Sequence, residues 1–134
     1  LTKDDSIEYL QKLAAEARKF GMSIGLKNAM DILSDVKDIV QFAVNEQCVE
    51  KKECSMYSKF LEEKPVFHVE YTDSTDTLSE EQMCLRDTVE ENLEKMSTII
   101  TTFDLDGRGQ FCDGTSFVTK VTEPRERSGR GGND

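Results

Sequence analysis

The chain has 134 residues, 37% hydrophobic and 33% charged, which permits one domain with a modest core under a heavily solvated surface. Its net charge of −10 argues against nucleic acid as a partner, because phosphate binding needs clustered Lys and Arg. Cationic ligands suit such a surface, although solubility alone also explains it. No apolar run approaches the roughly 18 residues of a membrane span, and the opening Leu1-Thr2-Lys3-Asp4-Asp5 does not resemble a signal peptide.

With no initiator Met, the sequence is expected to be a mature or excised piece. In chain order, residues 5–20 predict an amphipathic helix: Ile7, Leu10, Leu13, Ala14, Ala17 and Phe20 recur at spacings of three and four. Asp5 or Ser6 is the expected cap, and Gly21 the stop. A short strand over 22–28 ends in Lys27 and Asn28. A second helix is predicted over 30–40 with Ile32, Leu33, Val36 and Ile39 buried. Phe42-Ala43-Val44 is the next strand and ends in Asn45-Glu46-Gln47.

A helix over 52–63 carries Met56, Tyr57, Phe60 and Leu61. The strand Val66-Phe67-His68-Val69 closes with Glu70-Tyr71. A helix over 79–95, capped by Ser79, precedes a β-branched strand over 97–103. Alternation of helix and strand implies parallel strands joined by right-handed crossovers. Nearly continuous apolar strands imply that both sheet faces are covered. The expected fold is α/β, either a half-length β/α barrel or a small open sheet over residues 1–122. Residues 123–134 have almost nothing to bury and are read as a disordered tail.

Polar residues gather at the strand tips: Lys27 and Asn28, then Asn45 and Glu46, then Glu70 and Tyr71. Active sites of β/α barrels and open α/β sheets are built at such carboxyl ends. Glu46 is the best catalytic carboxylate. Partial desolvation at a barrel mouth would raise its pKa and let it donate a proton to a leaving oxygen, with Lys27 tuning it or holding substrate. Glu70 is either a second acid or, the preferred role, a substrate-binding residue. Tyr71 can stack on a sugar or pack on the rim. Lys27, Glu46 and Glu70 are all expected to open on one shared pocket. His68, the single histidine, is expected in the core and cannot anchor a multi-histidine metal site.

Cys48, Cys54, Cys84 and Cys112 suit two disulfides and an oxidising compartment, with reduced buried thiols as the alternative. Of three possible pairings the local ones are favoured, Cys48–Cys54 and Cys84–Cys112. No Cys-x2-Cys zinc signature is present, and no metal or other cofactor is expected. Asp104-Leu105-Asp106-Gly107 resembles the opening of a calcium loop but fails at Arg108 and Thr115.

Three stretches, 21–29 with Leu26-Lys27-Asn28, 42–48 with Asn45-Glu46-Gln47-Cys48, and 64–71, together resemble glycoside hydrolase family 114, the endo-α-1,4-polygalactosaminidases. Residues 104–107 and Phe111-Cys112 look like that family's final strand and closing cysteine. The resemblance covers roughly residues 8–115. It implies half of a secreted, extracellular TIM-type (β/α)8 barrel acting on α-1,4-linked galactosamine polymer, a cationic amino-sugar polysaccharide. By the same resemblance Glu46 is the catalytic acid/base, and Lys27, Asn28, Asn45, Glu70 and Tyr71 line the sugar groove. The family's second catalytic carboxylate, an aspartate, falls upstream of Leu1. Two alternatives follow, an inactive half-barrel that binds sugar and an acidic module that binds a protein. Exposed sheet edges of a half-barrel would also favour self-association.

Overall fold

The first helix, α1 (Lys3–Lys19), forms where the three-and-four spacing predicts it, with Leu10 and Ala14 buried. Its cap is Thr2 rather than Asp5 or Ser6. The Thr2 hydroxyl accepts from the Asp5 N–H at 3.2 Å and the Asp5 carboxylate accepts from the Thr2 N–H at 2.7 Å, a reciprocal capping box. Thr2→Ala is therefore expected to lower thermal stability by about 1 kcal/mol, measured by denaturant unfolding. Gly21, at φ +64°, takes the left-handed position that ends the helix, as expected.

The computed structural model describes residues 2–74, 78–86 and 92–120. The tail 123–134 lies outside the described residues. Six strands form one sheet in sequence order: β1 (Gly25–Lys27), β2 (Phe42–Glu46), β3 (Val66–Tyr71), β4 (Ser97–Thr101), β5 (Arg108–Phe111) and β6 (Ser116–Val118). The first three pairings are parallel and the last two antiparallel. The β/α architecture holds for the parallel part. The β5–β6 hairpin is an addition that the alternating pattern did not predict.

An unreversed strand order has a consequence. Each right-handed crossover steps the same way, so helices collect on one face and the sheet curls toward the other as an arc of a barrel. The arc is unclosed, with β1 and β6 at its edges. On the helical face, Leu26, Ala43 and Val66 pack with Leu10, Ile32, Leu33, Val36, Val40, Tyr57, Phe60 and Leu61. The other face is open, and Phe67 is 47% exposed there. Coverage of both faces, inferred from the apolar strands, is thus not met within this chain.

The crossover segments are more broken than predicted. In place of a helix over 30–40 there is a 3-10 turn (Met30–Ile32) followed by α2 (Leu33–Val36). In place of one over 52–63 there are two 3-10 turns, Cys54–Tyr57 and Phe60–Glu62, preceded by the short α3 (Cys48–Lys51). Tyr57, Phe60 and Leu61 are buried as expected, but Met56 is half exposed. The Cys48–Cys54 disulfide holds two Cα atoms 4.8 Å apart, and a straight helix would separate them by roughly 9 Å. Ser79 caps α4 (Glu80–Met83) through a second capping box with Gln82; beyond it, residues 87–91 lie outside the described residues and Leu93–Lys95 is a 3-10 turn. Cys84 joins Cys112, so both local pairings form. No helix among the described residues is long and apolar enough to cross a membrane.

Gly25 is required by its neighbour. The Phe42 ring lies over it, and a Cβ there would sit 2.2 Å from Phe42 Cε2. Phe42 in turn meets Phe67 edge-on at 5.8 Å, so the open face carries an aromatic strip.

Candidate active site

The tips of β1 and β2 end the same way. Asn28 (φ 51°) and Gln47 (φ 66°) both take left-handed backbone, which turns the chain sharply off each strand. Asn tolerates that conformation well. From there the Asn28 side chain reaches back, and its Oδ1 accepts from the Glu46 N–H at 2.9 Å and from Asn45 Nδ2 at 3.3 Å. Asn28 therefore fixes the backbone that carries Glu46.

Alternation along the strands then divides the polar tips between two faces. Lys27, Glu46 and Tyr71 share the open face. Lys27 Nζ lies 3.0 Å from Glu46 Oε2, and the Tyr71 hydroxyl donates to Glu46 Oε1 at 2.9 Å. Asn45 and Glu70 point the other way, under the helical layer, where they are 1% and 0% exposed. The single pocket expected for Lys27, Glu46 and Glu70 is not formed: the sheet itself lies between the two carboxylates.

Behind the sheet these residues build a buried polar scaffold. Asn45 Oδ1 accepts from the Cys48 N–H at 3.0 Å, and Asn45 Nδ2 donates to the Tyr57 hydroxyl at 3.3 Å. Glu70 Oε1 accepts from the Val49 N–H at 2.8 Å and is hydrogen-bonded to His68 Nε2 at 2.8 Å. His68 Nδ1 is joined to Thr98 Oγ1 at 3.0 Å. His68 is buried, as expected, while Glu70 Oε2 is buried with no partner. Asn45 and Glu70 thus dock the start of α3 against the ends of β2 and β3.

The Sγ atoms of Cys48 and Cys54 and a ring nitrogen of His68 lie within 4.8 Å of one another. Both sulfurs are committed to the disulfide and both ring nitrogens to hydrogen bonds, so none of these donors is open to a metal. The calcium-loop resemblance dissolves into the hairpin. Asp106 accepts from the Arg108 N–H at 3.0 Å and Asp113 from the Thr115 N–H at 2.7 Å, each bracing a turn.

Electrostatics reverse one expectation. The hydrogen bond from Lys27 is the largest influence on Glu46 and, with the Tyr71 bond, outweighs burial, so the carboxyl is held below its ordinary range. Glu46 is therefore a carboxylate at neutral pH rather than a ready proton donor. Burial and the adjacent Glu46 charge push the Tyr71 hydroxyl above its ordinary value, so it stays protonated and donates.

The profile of glycoside-hydrolase family GH114 matches residues 1–117. The chain belongs to that family. Aspergillus fumigatus Ega3, solved by crystallography as a complex with galactosamine, is 38% identical and superposes with a TM-score of 0.72. The match covers 84% of this chain and 47% of that one, so the chain spans about half the length of its solved relative. A comparison with curated proteins returned no match.

Within the GH114 chain, Lys27, Glu46 and Tyr71 are brought together, Asn28 supports them, and Asn45 and Glu70 are turned away. Sequence reasoning missed Phe103, which stacks on Tyr71 with centroids 4.3 Å apart. It also missed Asp73, whose carboxylate accepts from the Phe103 N–H at 3.0 and 3.1 Å. A cavity of about 540 Å3 lies among Leu33, Lys37, Met56, Phe60 and Lys64 in the helical layer and touches none of the open-face residues.

Lys27→Met is expected to raise the Glu46 pKa, read by carboxyl NMR titration. The sign follows from the depressed value: stability from the pair is present above the unfolded carboxylate range and fades as pH falls through the lowered folded value. Because the Lys27 side chain is 61% exposed, that stability is small, at most about 1 kcal/mol. An unchanged Glu46 titration in Lys27→Met would show that the contact does not hold the charge.

Proposed function

We propose that this domain contributes to the hydrolysis of α-1,4-linked galactosamine polysaccharide, with Glu46 as the acid/base at the carboxyl end of β2. The observation that carries the proposal is the Lys27–Glu46–Tyr71 cluster on the open face, at the strand ends where β/α barrels do chemistry. The galactosamine complex of Ega3 supports an amino-sugar ligand, and a net charge of −10 suits a cationic polymer. Lys27 and Tyr71 orient the Glu46 carboxylate. In the ionised form Glu46 accepts a proton, and it donates one to the glycosidic oxygen only after taking one up. Most glycosidases use two carboxyl groups, and a second carboxyl group is proposed to act with Glu46.

Two disulfides fit action outside the cell. The unpaired outer edges of β1 and β6 are proposed contacts for the rest of a barrel or for a second copy.

The second reading is sugar binding without turnover, in which Glu46 and Lys27 hold an amino sugar rather than exchange a proton. One experiment separates the two functions. The chain is incubated with α-1,4-linked galactosamine polymer, with retention on the polymer and release of reducing ends both measured. Release supports hydrolysis, retention without release supports the binding function, and neither overturns both.

A further inference from the structure

We infer that Phe103 is a sugar-stacking platform on the open face that carries Glu46, contacting the apolar face of a galactosaminyl unit; this rests on the amino-sugar function proposed above. Tyr71 was the expected aromatic for that task. Its ring, however, is only 6% exposed, its hydroxyl is spent on Glu46, and its face is covered by Phe103 at an interplanar angle of 17°. A covered ring has no face to offer.

Phe103 is placed differently. It follows β4 in the turn that leads to β5, and one of its faces lies on Tyr71 while the residue remains 51% exposed. The exposed area therefore belongs to the opposite face and rim. Its position is built rather than incidental, because the Phe103 N–H donates to both oxygens of Asp73. The two stacked rings and the Tyr71 hydroxyl form a continuous path from solvent to Glu46 Oε1. A pyranose lying on the outer face of Phe103 would be separated from Glu46 by the two stacked rings, so Phe103 would hold a unit further along the polymer than the one at the carboxylate.

The surroundings suit a cationic sugar. Asp73 holds the Phe103 backbone, and Asp104 and Asp106 follow on the same turn, with the latter paired to Arg108 at 3.3 Å. An ammonium near an aromatic face also gains from the ring quadrupole. A neutral N-acetylated sugar keeps the stacking but loses that term.

The sequence contains no Trp, so Phe103→Trp introduces a single indole as reporter. Titration with an α-1,4-linked galactosamine oligomer is expected to shift or quench its emission. Phe103→Ala and Phe103→Leu are expected to weaken binding about tenfold, the scale of one desolvated cation–π contact. Phe103→Tyr is expected to retain it. Phe103→Leu keeps Tyr71 covered without an aromatic face, so its loss of binding at unchanged melting temperature separates stacking from structure. An N-acetylated oligomer is expected to lose less, about threefold, on the same substitution. Full affinity in Phe103→Ala, with the unmodified chain binding the oligomer, overturns the platform and leaves the amino-sugar function standing. No binding by the unmodified chain overturns both.

Discussion

Glu46→Gln is expected to reduce reducing-end release from galactosamine polymer by about two to four orders of magnitude, the usual contribution of a positioned acid/base. Glutamine keeps the shape and still accepts from Tyr71, but it cannot exchange a proton. Only the ion pair with Lys27 is lost, and that pair is largely solvated, so stability is expected to change by at most about 1 kcal/mol. Substrate retention is expected to persist, because the exposed Phe103 is untouched. Turnover by Glu46→Gln at the unmodified rate would remove Glu46 from the chemistry.

Glu70→Ala is expected to act in the opposite way, through stability. Truncation leaves the Val49 N–H and His68 Nε2 buried without their hydrogen-bond partner, and each unsatisfied buried polar group costs about 1–3 kcal/mol. Glu70→Gln keeps an oxygen for the Val49 N–H and is expected to lose less, about 1–3 kcal/mol. Denaturant unfolding measures both. If Glu70 instead contacted sugar in the groove, Glu70→Ala would unfold normally and fail to bind substrate.

The contrast between Glu46 and Glu70 marks where the sequence stops being legible. That both lie at strand tips could be read from the apolar runs before them. The face each one takes could not be read from those runs, because Phe42, Ala43 and Val44 are all apolar and their alternation is silent. The useful signal was His68. A core histidine two residues before Glu70 puts both on one face, and counting by two would have moved Glu70 out of the groove.

The first helix was legible because its stripe runs for five turns without a competing constraint. The stretch 52–63 was not, because a three-residue spacing serves 3-10 turns as well as α-helix and the Cys48–Cys54 bridge governs the entry to it. The β5–β6 hairpin had a local signature in Asp113-Gly114 between Phe111 and Phe117, but the alternating pattern before it drew attention to crossovers instead. The lowering of the Glu46 pKa rests first on the hydrogen bond from Lys27, which lies nineteen residues away and becomes a neighbour only through the β1–β2 pairing.

The sequence-ordered sheet also bears on how the molecule assembles. Each strand pairs with the one made just before it, so no pairing skips a strand, although each parallel step has to close a crossover between residues such as Gly25 and Phe42 or Phe67 and Ser97. During synthesis an emerging strand finds its partner already in place, so the growing edge is always the newest strand while the outer edge of β1 stays open throughout. Oxidation of Cys84 has to wait for Cys112 and so comes last, sealing the hairpin onto a sheet that is already built.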